Sequence, residues 1–301
     1  MRRIRISGLV DIVQSDDADE IKSIASDQNL DRAFSDHSIL ANGRVLQRVL
    51  DTLQVDGRPF PTLSPRWAPG RAEAQDALWK RLTALAPEYS AGPEGLEPLA
   101  ALVRGTGNAD ACGPLVQQAV GTLFAADFKA TPESWSAALV LDRAPRTLNP
   151  VLLAAWAATG EVDKAKQLLA NMVDGDLAAV HAIGIAVHNI VKGVNLMRQL
   201  YSDPSQRQLS PDVAASRCIF APEKVLRQPI EPEQSNSGEL ETGTLVMLNL
   251  QAANAKAPDK ALAFLSGTWS QCPAEGWVPA LLEGIWRRCS MQAEGYSAPP
   301  H

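Results

Sequence analysis

The chain has 301 residues, enough to bury a substantial core as one large domain or two ordinary ones. Apolar residues make up 46% and charged ones 21%, a globular composition, and a net charge of −6 argues against nucleic acid or anionic lipid as the main partner. The four cysteines (Cys112, Cys218, Cys272, Cys289) show no CxxC spacing, so free thiols are expected. With histidine only at 37, 181, 188 and 301, a zinc site would have to borrow distant carboxylates or thiols.

The opening stretch 4–13, IRISGLVDIV, reads as a strand or a pair of short strands and not as a signal peptide. Next, Ser15 or Asp16 is the expected N-cap of a helix carrying Ile21, Ile24 and Ala25 on one face. Helical patterns dominate to about residue 201, over 43–54, 71–86, 94–104, 110–125, 132–143, 148–158, 161–173 and 175–202. Their uneven spacing argues against a solenoid.

From 203 onward proline and turn residues accumulate. Expected there are a short helix PDVAASR ending at Arg217, a polar loop or hairpin end over 231–243, and a strand Thr244–Leu250. A last helix falls at 278–290; because Pro279 suits only a first turn, that helix should start near Trp277. The expected fold class is mainly α with a minor β portion, in a single domain over 1–301. A helical body (15–202) is followed by a strand, cysteine-loop and helix portion (203–290) and a mobile tail (291–301). No stretch reads as a span of ~20 apolar residues, so a cytoplasmic protein is expected, with no membrane and no nucleic acid among its partners.

Taken in order, the later pieces are a long apolar helix (175–202), a short helix ending in Arg217, and an irregular stretch leading to Arg227. A glycine-opened strand in GTLVMLNLQAANAK and a cysteine loop, FLSGTWSQCPAEGW, precede the last helix. This order resembles the C-terminal half of a cytochrome P-450. The strand matches at Gly243, Thr244, Val246, Leu248, Asn249, Ala252, Ala253 and Asn254, and the loop at Phe264, Gly267, Cys272 and Pro273. Residues 8–36 are similar to the strand and first helix that open many bacterial members.

There are departures. Ala214 stands where the family's Glu-x-x-Arg has its glutamate, and Ala186 and Val187 stand where an acid and an alcohol follow the groove glycine, here Gly184. One residue too many separates Gly267 from Cys272, Trp269 sits near the place of a basic residue, and Ala274 replaces a glycine. The resemblance is therefore to a reduced, divergent member, a truncated cytochrome P-450-like fold.

The resemblance implies haem b as cofactor, with Cys272 as the axial ligand of the haem iron. It implies Arg227 and, through the spacing Trp67-x-x-x-Arg71, Arg71 as propionate partners, with Phe264 and Gly184 beside the cofactor. A thiolate in apolar surroundings needs iron and backbone N–H groups to stabilise it; otherwise Cys272 is an ordinary packed thiol. The implied activity is that of a haem-thiolate oxidoreductase acting on a small molecule of specialised metabolism. Ala186 and Val187 cannot deliver protons, so unusual oxygen or peroxide chemistry is expected.

His181 and His188, seven residues apart and read as sharing one helical face, are candidate proton donors; the competing reading makes them packing residues. The implied partners are a small-molecule substrate, an electron-transfer protein where peroxide is not the oxidant, and a second copy in a homodimer. The competing whole-chain reading is a non-catalytic relative that has lost haem and serves as a binding partner or scaffold. A helical binding protein with no haem history is the third.

Overall fold

The computed structural model describes residues 1–147, 149–256 and 258–294. The chain divides into two compact units, one of residues 1–75, 136–185 and 221–272, the other of residues 76–135, 186–220 and the chain from Pro273. Each unit takes stretches from both the helical body and the portion after 203.

The described strands all lie in the first unit: β1 (Arg2–Ile6), β2 (Val10–Ser15), β3 (Leu30–Asp31), β4 (Gln54–Val55), β5 (Arg58–Pro59), β6 (Val225–Pro229), β7 (Glu233–Ser235), β8 (Gly238–Leu240) and β9 (Leu245–Leu248). Five form one sheet in the order β1-β2-β9-β6-β3, while β4–β5 and β7–β8 are hairpins. Only β2 and β9 run parallel, with Ile12 opposite Leu245 and Ser15 opposite Leu248. Because side chains alternate along β2, Ile12 turns with Leu245 towards Phe34 and Leu46, and Leu46 comes from the helix Leu40–Thr52.

The opposite face of the sheet carries Asp11, which is 2% exposed. Its carboxylate accepts from Arg3 Nε at 2.8 Å, Arg3 Nη2 at 2.7 Å and the Thr244 hydroxyl at 2.9 Å. Burial pushes this carboxyl up, but the Arg3 fork and Thr244 outweigh it and hold Asp11 below the usual carboxylate range. Asn42 donates to the Asp11 and Gly243 carbonyls, so one polar cluster fixes β1, β2 and β9 to the 40–52 helix.

Several boundaries differ from the sequence reading. The first helix, Ala18–Ser26, is N-capped by Asp17, because Ser15 belongs to the end of β2. The strand expected to run to Leu250 stops at Leu248. The Asn249 N–H closes onto the Ser15 carbonyl at 2.8 Å, and Leu250–Lys256, rich in good helix formers, turns into a helix. A second short helix, Lys260–Phe264, is capped by Asp259 and ended by Leu265 in a left-handed conformation. The polar stretch 231–243 contains the β7–β8 hairpin.

The second unit is helical. Its helices include Glu97–Val103, Cys112–Gly121, Pro211–Arg217 and Val278–Glu294, the last with Pro279 in its first turn as expected. Small residues let its elements touch closely. A Cβ at Gly113 would strike the Trp135 ring, and one at Gly121 the Phe128 ring. Trp286 is fully buried and donates its indole N–H to the Leu209 carbonyl at 3.0 Å. The expected mobile tail began at 291; helix continues to Glu294, and 295–301 lie outside the described residues.

One helical run, Leu177–Ser202, belongs partly to each unit. The sequence reading found no membrane span, yet by length and composition this run is long and apolar enough to cross a bilayer. Half of that apolar window is buried inside the protein, as suits a central core helix. Asp176 caps its start, and a π-turn at Ala182–Ala186 interrupts it.

Candidate cofactor site

Four arginines of the first unit converge on one indole. The guanidinium carbons of Arg71 and Arg227 lie 4.8 and 5.0 Å from the Trp269 ring centroid, and those of Arg32 and Arg66 lie 5.4 and 5.9 Å away. Arg227 arrives from β6 and is fully buried. It donates from Nη2 to Ser270 Oγ at 2.7 Å and from Nη1 to the Leu226 carbonyl at 2.8 Å. Arg71 is the first residue of the helix Arg71–Ser90. It donates from Nε to the Ser64 carbonyl at 3.2 Å and from Nη2 to the Trp269 carbonyl at 3.1 Å. Arg32, just after β3, donates to the Thr62 carbonyl, and Arg66 also lies 4.8 Å from the exposed ring of Trp67.

A single buried carboxylate faces them. Asp31 accepts from the backbone N–H groups of Arg32 at 2.6 Å and Arg66 at 2.8 Å. The remaining cations repel one another. Burial, then Arg32, pushes the Arg227 guanidinium well below its ordinary range, and burial and Arg66 lower Arg71. Arg32 falls to about 10 through burial and Arg71, with Cys272 and Asp31 pulling it back up. Three buried donors of this cluster have no hydrogen-bond partner among the described residues: Arg227 Nε, Arg66 Nη1 and Trp269 Nε1. Unpaired donors beside excess positive charge are a site for an anion.

Cys272 is half-buried on the same unit, within electrostatic reach of Arg32. Its backbone N–H donates to the Phe264 carbonyl at 2.8 Å, so Phe264 fixes the loop through its main chain while its ring sits in the core. Gly267 turns the loop at φ +74°, a conformation suited to glycine. Beyond Cys272 a 3-10 turn over Pro273–Gly276 precedes the last helix, which therefore starts at Val278 and not at the cysteine. The other three cysteines are buried, and burial raises their thiols to about 11 for Cys112 and about 12 for Cys218 and Cys289.

The two helix histidines part company. The ring of His181 lies 5.5 Å from that of Phe60 in the first unit, while His188 lies 5.0 Å from the Trp135 ring in the second. Seven-residue spacing puts residues on one face only in a regular α-helix; the intervening π-turn, with its wider i→i+5 winding, breaks that register. Gly184 sits inside this π-turn, where a Cβ would come within 2.9 Å of the Leu141 and Leu169 methyls. Arg217 is exposed and donates to Gln206 at 2.8 Å, and Ala214, at the place of the Glu-x-x-Arg glutamate, is fully buried.

His181 makes the stability of the chain depend on pH. Burial, then Arg32, lowers its imidazole to about 4, against 6.5 for a free histidine. A depressed histidine contributes stability that is complete above about 6.5 and is lost as pH falls towards 4. Between pH 7.5 and 5 the expected loss from this group is on the order of 2 kcal/mol. Urea midpoints across that range should fall for the unmodified chain and stay flatter for His181→Phe; equal slopes would remove His181 as the cause.

Of the residues named from sequence, Arg71, Arg227, Phe264, Cys272 and His181 lie in the unit that holds the cage. Gly184 lies there too but packs on leucines, and His188 lies in the other unit. Sequence reasoning missed Arg32, Arg66 and Asp31. Two of the three stand beside residues it did use, since Arg66 precedes Trp67 and Asp31 ends the 8–36 stretch's short strand.

The charge and donor set fits the acidic edge of a haem. Four arginines face one aspartate, so two propionates and one thiolate would balance the excess, and the unpaired N–H groups would gain acceptors.

No family model and no curated protein matches the chain. Solved structures do. The chain is similar to CYP175A1 from Thermus thermophilus, with TM-score 0.62 and 15% identity over 95% of this chain and 84% of that one. It is similar to CYP164A2 of Mycobacterium smegmatis with econazole bound, with TM-score 0.61 and 15% identity over 97% and 86%. P450BioI, in complex with an acyl carrier protein ligated with hexadec-9Z-enoic acid, matches with TM-score 0.60 and 16% identity over 94% and 85%. Over more than nine-tenths of its length, the chain thus has a cytochrome P450-like fold, in a form shorter than these neighbours.

Proposed function

We propose that the chain is a haem-thiolate oxidoreductase acting on a small molecule, with haem b ligated by Cys272. The observation that carries this reading is the arginine cage around Trp269, with its unpaired buried donors, on the unit and beside the loop that hold Cys272. Haem, when bound, would supply a redox-active iron for oxygen or peroxide chemistry, and the Cys272 thiolate would be the protein group that tunes it. Cys272 is the one cysteine that is not fully buried, and the Phe264 carbonyl steadies its backbone.

Arg227 and Arg71 would hold the propionates, and Arg32 adds a third guanidinium to the same region. Ala186 and Val187 move no proton. His181 is neutral near pH 7, so it would orient a water or substrate through a hydrogen bond and would not itself be the acid.

Haemin titration of the purified chain tests the cage directly. A saturable one-to-one complex is expected, and Arg227→Met should weaken it about tenfold, the loss of one charge-assisted contact. Linear, unsaturable uptake that Arg227→Met leaves unchanged would contradict the proposal.

A second reading, the haem-free relative serving as a partner, draws on specific packing. Leucines fill the space beside Gly184, the Phe60 ring lies against His181, and two open clefts, of about 400 and 420 Å³, are lined by neither Cys272 nor the cage. Protein that stays colourless when expressed with a haem precursor and refuses added haemin would favour it.

A further inference from the structure

The arginine cage holds more positive charge than the surrounding chain balances. Asp31 accepts from the backbone N–H groups of Arg32 and Arg66, and among the described residues it forms an ion pair with none of the four guanidinium groups. The hydrogen bonds those groups make among the described residues end on neutral oxygens. These are the carbonyls of Thr62, Ser64, Leu226 and Trp269, the Gln75 amide and the Ser270 hydroxyl. Fully buried Arg227 keeps Nε without a hydrogen-bond partner, and Arg66 keeps Nη1 without one. Burial first, then repulsion from one another, lowers Arg32, Arg71 and Arg227, as cations crowded without anions must be.

The middle of the cage is taken by the Trp269 indole, whose ring centroid lies between 4.8 and 5.9 Å from the four guanidinium carbons. A π face attracts cations but cannot pair their N–H groups as an oxygen does. The ring's own Nε1 is also buried without a partner. In this position the indole therefore leaves donors unmade on both sides of the contact. Its main chain is fixed, since the Trp269 carbonyl accepts from Arg71 Nη2 and the Gln271 N–H donates to the Thr268 carbonyl, each at 3.1 Å. The residue as a whole is only half-buried. Rotation about its side-chain bonds alone would carry the ring outward without refolding the loop.

We propose that the cage is a receptor for one small dianion of the phosphate or sulfate class, and that the Trp269 ring is the placeholder this ion displaces. The ion would accept from Arg227 Nε and Arg66 Nη1 while the indole N–H turns to water. Four cations against one carboxylate suit two negative charges better than one, and guanidinium forks match an oxyanion better than a halide. The proposal goes beyond the haem reading and does not rest on it. Where haem loads, its propionates and the free ion would compete for the same guanidinium groups.

Calorimetric titration of the haem-free chain with inorganic phosphate, at constant ionic strength set by sodium chloride, tests the proposal. A saturable one-to-one complex is expected. Arg227→Met should weaken it about tenfold and Arg66→Gln about fivefold. Arg66 is half-buried, so its variant decides the matter if far-UV circular dichroism shows that Arg227→Met does not fold. Trp269→Ala should tighten the complex about threefold or more, because no ring then has to leave. Weaker binding in Trp269→Ala would make the indole part of the site and overturn its role as placeholder. Absence of saturable binding in the unmodified chain and in Trp269→Ala would overturn the whole proposal. So would binding that the arginine variants leave unchanged, which would mark an adventitious ion only. Haemin titration of the same preparation separates the two readings: phosphate binding without haemin uptake keeps this proposal and removes haem, and haemin uptake without phosphate binding does the reverse.

Discussion

Gly284→Ala is expected to lower the unfolding free energy by about 2 kcal/mol or more, among the largest effects of any single methyl in the chain. The helix Val278–Glu294 lies so close to the end of the helix Arg71–Ser90 that an added Cβ would overlap the Tyr89 carbonyl oxygen and crowd Leu96 Cδ1 at 2.9 Å. A carbonyl oxygen is backbone and cannot swing aside, so two helices must separate. Alanine's better helix propensity returns only about 1 kcal/mol. Gly95→Ala is the matched control, because nothing lies within 4 Å of its added Cβ. Urea unfolding should therefore show a lower midpoint for Gly284→Ala and almost none of that shift for Gly95→Ala. Equal midpoints in the Gly284 variant and the unmodified chain would contradict the close packing.

Cys272→Ser is expected to abolish thiolate ligation while leaving the polypeptide folded, because the side chain is half-buried in a loop held by main-chain hydrogen bonds. A serine hydroxyl is not ionised near neutral pH and cannot replace a thiolate. In haem-loaded protein the variant should lose the strongly red-shifted ferrous–CO Soret band completely. Serine at Cys218 or Cys289 should keep it, since burial holds both thiols protonated to about pH 12. A red-shifted band that survives in Cys272→Ser would move the ligand to another residue.

The parts of the fold that were legible in the sequence are those set by local chemistry. Proline at 279 announced the late start of the last helix, and the polar run at 231–243 announced a hairpin end. What escaped depends on partners far away in sequence. Ser15 looks like a helix cap until its pairing with Leu248 is known, and Asn249 and Leu250 look like the end of the strand until the Asn249 N–H is seen closing onto Ser15. The π-turn at 182–186 has no signature in AIGIA beyond its glycine, so the two histidines looked aligned.

The site divides the same way. Arg71, Arg227 and Cys272 could be named because motif spacing carries them. Arg32 and Asp31 could not, because β3 is two residues long and finds its place only against Gln228 and Pro229, almost two hundred residues later. Arg66 was hidden for a different reason. The helix begins at Arg71, as expected, and the irregular stretch before it leaves Trp67 69% exposed and turns Arg66 inward to Trp269, an orientation that no local spacing announces.

Sulfur from the loop after Phe264 meeting iron beside a nest of guanidinium groups is the claim on which the functional reading stands. Its most direct test is the ferrous–CO spectrum of the unmodified chain purified from cells given a haem precursor. A Soret band shifted strongly to the red is the predicted result. Haem-loaded protein whose ferrous–CO band stays at the position of an imidazole- or water-ligated haem would contradict it.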